Sequence, residues 1–184
     1  MTMEERWLQP IDETTRLFRE AFDSLNEEQL NWKPSPKEWS IAQNIDHLIV
    51  INNTYLPVLE SVRNNTFTLS WIGKIGFMVN FMGRLILQSV QPDRRKRMKT
   101  FPSWEPSSSK IDGDILDRFE KHQNALKELI RSSKDLVDAN TVISSPANKN
   151  IVYKLETAFD IIVTHEKRHL EQAKEVLQRM DGKR

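Results

Sequence analysis

The sequence predicts an all-α protein, a bundle of helices. Two positive observations carry this expectation. Apolar residues recur at helical spacing in four long segments. Ser40 and Gln43 stand in the S-x-x-Q relation of a capping box, a strong local start signal for one of those segments. A third observation is negative: nothing in the chain shows the sustained apolar–polar alternation of a half-buried strand.

Taken in order, Asp12 is placed to cap a first helix running to about Leu25. Ile11, Phe18, Phe22 and Leu25 fall on one of its faces. Pro34 and Pro36 end regular structure after Leu30, because each removes an N–H and disfavours helix in the residue before it. The second helix opens at Ser40 and carries Ile41, Ile45, Leu48, Ile49, Leu56 and Leu59 on its apolar side. Trp71, Ile75, Met78, Val79, Met82 and Ile86 suggest an additional helix, weakened by Gly73, Gly76 and Gly83 at about 1 kcal/mol each against Ala. Its Met-rich face suits an added helix packed on the core, a pocket cover or a dimer contact. The basic run Arg94–Lys99 reads as a solvated loop, and Thr100–Pro106 as extended chain. Asp112 or Asp114 caps the third long helix, with Ile115, Phe119, Leu126, Leu129 and Ile130 as its stripe. Ser144–Asn148 ends a connection, and the last helix spans Leu155–Met180.

Composition narrows the function. A chain of 184 residues supports one domain with a real core. Its net charge of +1 gives no global argument for nucleic acid or membrane. The apolar stretch from Trp71 to Val90 is interrupted by Lys74, Asn80 and Arg84, which argues against a membrane span. The N-terminal residues lack a secretory apolar region, so a cytoplasmic protein is expected. The absence of cysteine excludes disulfides, thiolate ligands and cysteine nucleophiles, leaving histidine and carboxylate to hold any metal.

Chemistry concentrates in the last helix. His165 and His169 are four apart, which puts their Cβ atoms about 5–6 Å from each other on one face. Two imidazoles so placed can share a divalent cation; an exposed polar pair is the plainer alternative. A cation needs a further ligand from a facing helix. His47, in the second turn of the firmly capped helix, is the best third ligand. Three imidazoles leave a coordination position open, as catalytic sites do. His122 lies on the stripe of the third helix and is a fourth candidate, with a hydrogen-bonded core-edge histidine as its plainer reading. Asp46, Glu166 and Glu171 are candidate carboxylates to orient ring N–H groups, but neighbours in sequence on a helix point elsewhere, so none is assigned that role.

The chain resembles the DinB-like (DinB/YfiT-like) superfamily of metalloenzymes. The resemblance rests on the segment Trp39-Ser40-Ile41-Ala42-Gln43-Asn44-Ile45-Asp46-His47-Leu48 and on the closing His165-Glu166-Lys167-Arg168-His169. Asn31–Pro34 and Lys99–Pro106 are also similar to that group. The resemblance implies an up-down-down-up four-helix bundle, here with an additional helical insertion between helices 2 and 3 within residues 66–105. It implies a divalent ion (zinc, nickel, iron or manganese) on His47, His165 and His169, and a homodimer. It also implies thiol-dependent transferases using low-molecular-weight thiols, a maleylpyruvate isomerase and hydrolases as relatives.

Function is therefore expected to be a metal-dependent activity on a small-molecule substrate. A thiol-dependent S-transferase leads, with a low-molecular-weight thiol supplied from outside because the chain has no cysteine. A metal-dependent hydrolase is the alternative, and a non-catalytic metal-binding stress protein the reading from another class. No nucleic acid and no membrane partner is expected.

Overall fold

The computed structural model describes residues 1–93 and 100–182. The basic run Arg94–Lys99 lies outside the described residues. The chain begins helical earlier than Asp12. A π-helical turn, Glu4–Leu8, leads into α1, Gln9–Phe22. Pro10 lacks the N–H that would close the α-helical bond to Arg6, which accounts for the wider first turn. Asp12 is thus not a cap; it lies one turn into α1 and pairs with Lys127. A short α2, Glu27–Asn31, is held by a capping box of Asn26 and Gln29. The predicted box of Ser40 and Gln43 is present and starts α3, Ile41–Asn53.

The second long helix is not continuous to Leu59. It breaks at Thr54 and resumes as α4, Tyr55–Arg63. Pro57 explains the break, because it cannot donate and its ring crowds the carbonyl of Asn53. A 3₁₀ turn, Trp71–Lys74, and α5, Gly76–Ser89, form the insertion. Pro102–Trp104 makes another 3₁₀ turn where extended chain was expected. Then come α6, Ile115–Ser132, and a short α7, Lys134–Asp138. Asp114 occupies the cap position of α6 without a capping side-chain bond.

Residues 142–154 depart from the all-helical expectation. Val142–Ser145 (β1) and Asn148–Lys154 (β2) pair antiparallel around Pro146–Ala147, with Ile143 opposite Tyr153. Their apolar residues, Val142 and Ile143 in one and Ile151, Val152 and Tyr153 in the other, are too few in a row to show strand alternation. The chain closes with α8, Leu155–Asp181.

Side-chain pairs between helices fix their directions. Arg6 and Trp7, in the turn that leads into α1, bond Asp160 near the start of α8. Phe18 and Phe22 further along share a core with Leu170, Ala173 and Val176. These two helices therefore run parallel. Arg19 meets Asp117 and Glu120 while Asp12 meets Lys127, so α6 runs against α1. Asn44 reaches His169 and Asn52 reaches Glu166, so α3 runs against α8. The topology is the up-down-down-up four-helix bundle. No helix among the described residues is long and apolar enough to cross a membrane.

The insertion packs outside this bundle, against β2 and α8. Gly83 permits the close approach: a Cβ there would stand 3.2 Å from Tyr153 Cβ and 3.1 Å from Thr157 Cγ2. Tyr153 in turn bonds Tyr55, with hydroxyl oxygens 2.9 Å apart in a buried pair.

Burial raises both phenol pKa values above their ordinary value of 10.0. The unfolded chain releases these protons near pH 10 and the folded protein holds them. Stability is therefore intact below that pH and falls as pH rises beyond it. The chain has only these two tyrosines. Ultraviolet titration of the native protein should show no tyrosinate near pH 10, with absorbance rising only together with loss of helical circular dichroism. A free titration of either tyrosine near pH 10 would contradict the buried pair.

Candidate metal centre

The crossing of α3 and α8 brings together the three histidines singled out in the sequence. One donor nitrogen from each of His47, His165 and His169 lies within 4.8 Å of the others. His165 and His169 point their Nε2 atoms at one another across 3.0 Å. The His47 ring stands with its centroid 4.7 Å from that of His169 and 5.2 Å from that of His165. His47 and His169 are buried; His165 keeps partial exposure. The plainer reading of an exposed histidine pair does not hold.

Hydrogen bonds fix two of the three tautomers. Asn44 donates its Nδ2 to the Ser40 carbonyl at 2.8 Å, which turns Oδ1 toward His169. That oxygen lies 2.8 Å from His169 Nδ1 and can only accept. His169 therefore carries its proton on Nδ1 and leaves a bare lone pair on Nε2. His47 Nδ1 likewise faces a pure acceptor, the Trp104 carbonyl, at 2.5 Å, and its Nε2 is left unprotonated. Burial is the main cause holding the His47 pKa down at about 4. It also pushes those of His165 and His169 well below the usual histidine value, with Coulombic help from neighbouring histidines and Arg168. The rings are thus neutral at ordinary pH, the form in which imidazole binds a metal.

Two aromatic and loop elements complete the site. The Trp39 ring packs against His47 at 4.8 Å and stacks on His169 at 5.9 Å between centroids. The segment carrying Trp104 and the chain after it are tied down on α3 and α2. Asp46 accepts from the Ser107 N–H at 2.6 Å, Gln43 donates to the Ser108 carbonyl at 3.0 Å, and Asn31 exchanges two bonds with Ile111.

The carboxylates considered as orienting groups point elsewhere, as sequence neighbours of a histidine on one helix do. Asp46 holds the loop and meets Arg118; it bonds no imidazole, and acts on His47 through its charge and through the segment bearing Trp104. Glu166 turns into the bundle and accepts from Asn52 and Gln123, each at 2.8 Å. Burial raises its pKa to about 7 against those two amide bonds. Glu171 is exposed and pairs with Lys174. The orienting groups are instead Asn44 and a backbone carbonyl, neither named by the sequence reading. Asn44 was findable in principle, since it lies one turn before His47 on the same helix; Trp104 was not.

His122 is not part of the cluster. It lines a cavity of about 60 Å³ with Asn52, Leu56 and Leu129. Its Nε2 is buried and meets no hydrogen-bond partner among the described residues. Burial lowers its pKa to about 4.

Fold and site together define an up-down-down-up helical bundle with a three-histidine cluster that could hold a metal ion. The family model of the DinB superfamily matches residues 11–173, and the chain belongs to that superfamily. It is similar to the uncharacterized protein YuaE of Bacillus subtilis (strain 168), with 30% identity over 159 residues, 85% of this chain and 88% of YuaE. Among solved structures it is similar to YfiT of Bacillus subtilis, described as a probable metal-dependent hydrolase with an unusual four-helix bundle topology. That likeness has a TM-score of 0.55 at 16% identity, covers 97% of this chain and 87% of YfiT, and bears on the fold.

The hydrogen bonds predict a spectroscopic signature. Long-range ¹H–¹⁵N spectra of the metal-free protein should show His47 and His169 as Nδ1–H tautomers. Asn44→Ala should release His169 to a mixture while leaving His47 unchanged. An Nε2–H tautomer for either residue in the parent protein would contradict the arrangement.

Proposed function

We propose that this chain is a metal-dependent enzyme in which His47, His165 and His169 hold one divalent ion, and that it hydrolyses a small-molecule substrate. The observation that carries the reading is the convergence of three neutral imidazoles, two of them held with Nε2 bare. The donor set fits a metal: neutral nitrogens, buried and oriented from behind. Zinc, nickel, iron and manganese all suit it. A divalent ion bound there supplies Lewis acidity, which makes water or a thiol more acidic. Asn44 and the Trp104 carbonyl keep the Nδ1 protons in place, and Trp39 covers His47 and His169. YfiT's description supports hydrolysis as the chemistry.

Thiol-dependent S-transfer is the second reading, and a specific observation favours it. Asp46 and Glu166, the carboxylates beside the histidines in sequence, both have hydrogen-bond partners elsewhere. Neither is disposed to take a proton from water. A thiol ionises more readily than water, and this chain has no cysteine, so the thiol would be a low-molecular-weight one.

Elemental analysis of tag-free protein tests the shared part of both readings. About one transition metal per chain is expected, with tight binding lost in His47→Ala, His165→Ala and His169→Ala while far-ultraviolet dichroism is retained. His122→Ala should keep its metal. Metal retained at full stoichiometry in the His47 variant would remove that residue from the ligand set. Turnover of an ester or amide panel without added thiol supports hydrolysis; turnover of electrophiles only with added thiol supports transfer.

A further inference from the structure

We propose that the outward face of α5 and of the turn before it docks on an anionic lipid surface. The proposal goes beyond the metal chemistry and does not depend on it. The inward side of α5 is accounted for: Val79 and Gly83 are buried, and Gly83 lies against Tyr153 and Thr157. The outward side is apolar too. Trp71 is 70% exposed, Phe77 73%, Phe81 49% and Leu85 48%. Phe77, Phe81 and Leu85 recur every four residues, so they line one strip, and the two phenyl rings stack at 6.0 Å. Single exposed apolar residues need no explanation; a continuous strip of large ones marks a contact surface.

Charge selects the occupant. Residues 61–92 contain none of the chain's 26 acidic side chains. The hairpin strand packed beside α5, Asn148–Lys154, contains none either. The charged side chains of α5 and of the turn before it are cations. Arg84 falls in line with Phe77 and Phe81 by helical spacing, Lys74 lies in the preceding turn, and neither makes an ion pair among the described residues. A second copy meeting this face across a twofold axis would present the same residues. It would bring cations and apolar groups to Lys74 and Arg84 and no acid. A leaflet of anionic lipid offers both partners the strip requires: phosphates for Arg84 and Lys74, and an interfacial zone for phenyl and indole rings. The chain's net charge and the polar residues that interrupt its most apolar stretch, which led to the expectation of no membrane partner, say nothing about one local face.

Co-sedimentation of the intact protein with vesicles tests this. Phosphatidylglycerol vesicles are compared with phosphatidylcholine vesicles at low and high salt. The protein should bind the anionic vesicles, bind the neutral ones far less, and release as salt rises. Phe77→Ser/Phe81→Ser should weaken binding on the order of tenfold or more, from the loss of two buried rings. Arg84→Glu should weaken it severalfold. All three positions are exposed, so unchanged circular dichroism and metal content are expected of both variants. Binding by the double variant equal to that of the parent would overturn the proposal, as would no binding of the parent to phosphatidylglycerol. A parent dimer that the double variant splits, without vesicle binding, would assign the face to a second copy instead.

Discussion

The antiparallel contact of α3 with α8 is the constraint on which the rest of the molecule depends. It is unusual for a bundle seam in being polar. Asn44, Asp46, His47 and Asn52 from one helix and Glu166 and His169 from the other are all buried. A buried polar group without a partner costs about 1–3 kcal/mol, so such a seam is stable only when its members bond one another. Asn44 with His169 and Asn52 with Glu166 do so two turns apart along α3. Sliding one helix against the other would break both bonds and leave an imidazole nitrogen and one carboxyl oxygen without their partners. The seam thus sets the register that brings His47 to the other two histidines.

The same seam governs the loop between α5 and α6. Successive polar residues of α3, Gln43, Asp46 and His47, each bond that loop's backbone. A single helical turn therefore spends its polar side chains in two directions. Asn44 points to α8 while its neighbours hold the segment that carries the Trp104 carbonyl. The capping box at Ser40 underlies both, because the Ser40 carbonyl also fixes the amide of Asn44. A helix start, a loop anchor and the orientation of a candidate metal ligand share one residue.

Around this polar seam the bundle is ordinary. Phe18, Phe22 and Phe119 fill one end with Ile41 and Ile45, and Trp7, Phe159, Leu126 and Ile130 fill the other. The insertion is different in kind. Its helix is apolar on both sides, and only one side is used by the body of the protein. A helix apolar on both sides leaves its second face for another contact.

The long helices, their order and the identity of the three clustered histidines were legible in the sequence, because stripe periodicity and capping boxes act over a few residues; the short α2 and α7 were not. The i, i+4 spacing of His165 and His169 and the cap at Ser40 belong to that range. Pro57 was legible too, but its effect on α3 was masked by an apolar stripe running through it. What only the tertiary structure decided is the pairing of residues far apart in the chain. His169 finds Asn44 rather than a carboxylate, across a separation of 125 residues. Glu166 turns from its neighbouring histidines to Asn52 and Gln123, and His122 is left facing a small cavity. Residues 142–154 become a hairpin because Tyr153 is paired with Tyr55 and packed beneath α5, contacts that no local pattern encodes. Local periodicity says which side of a helix is buried; only the packed bundle decides what each buried polar atom meets there.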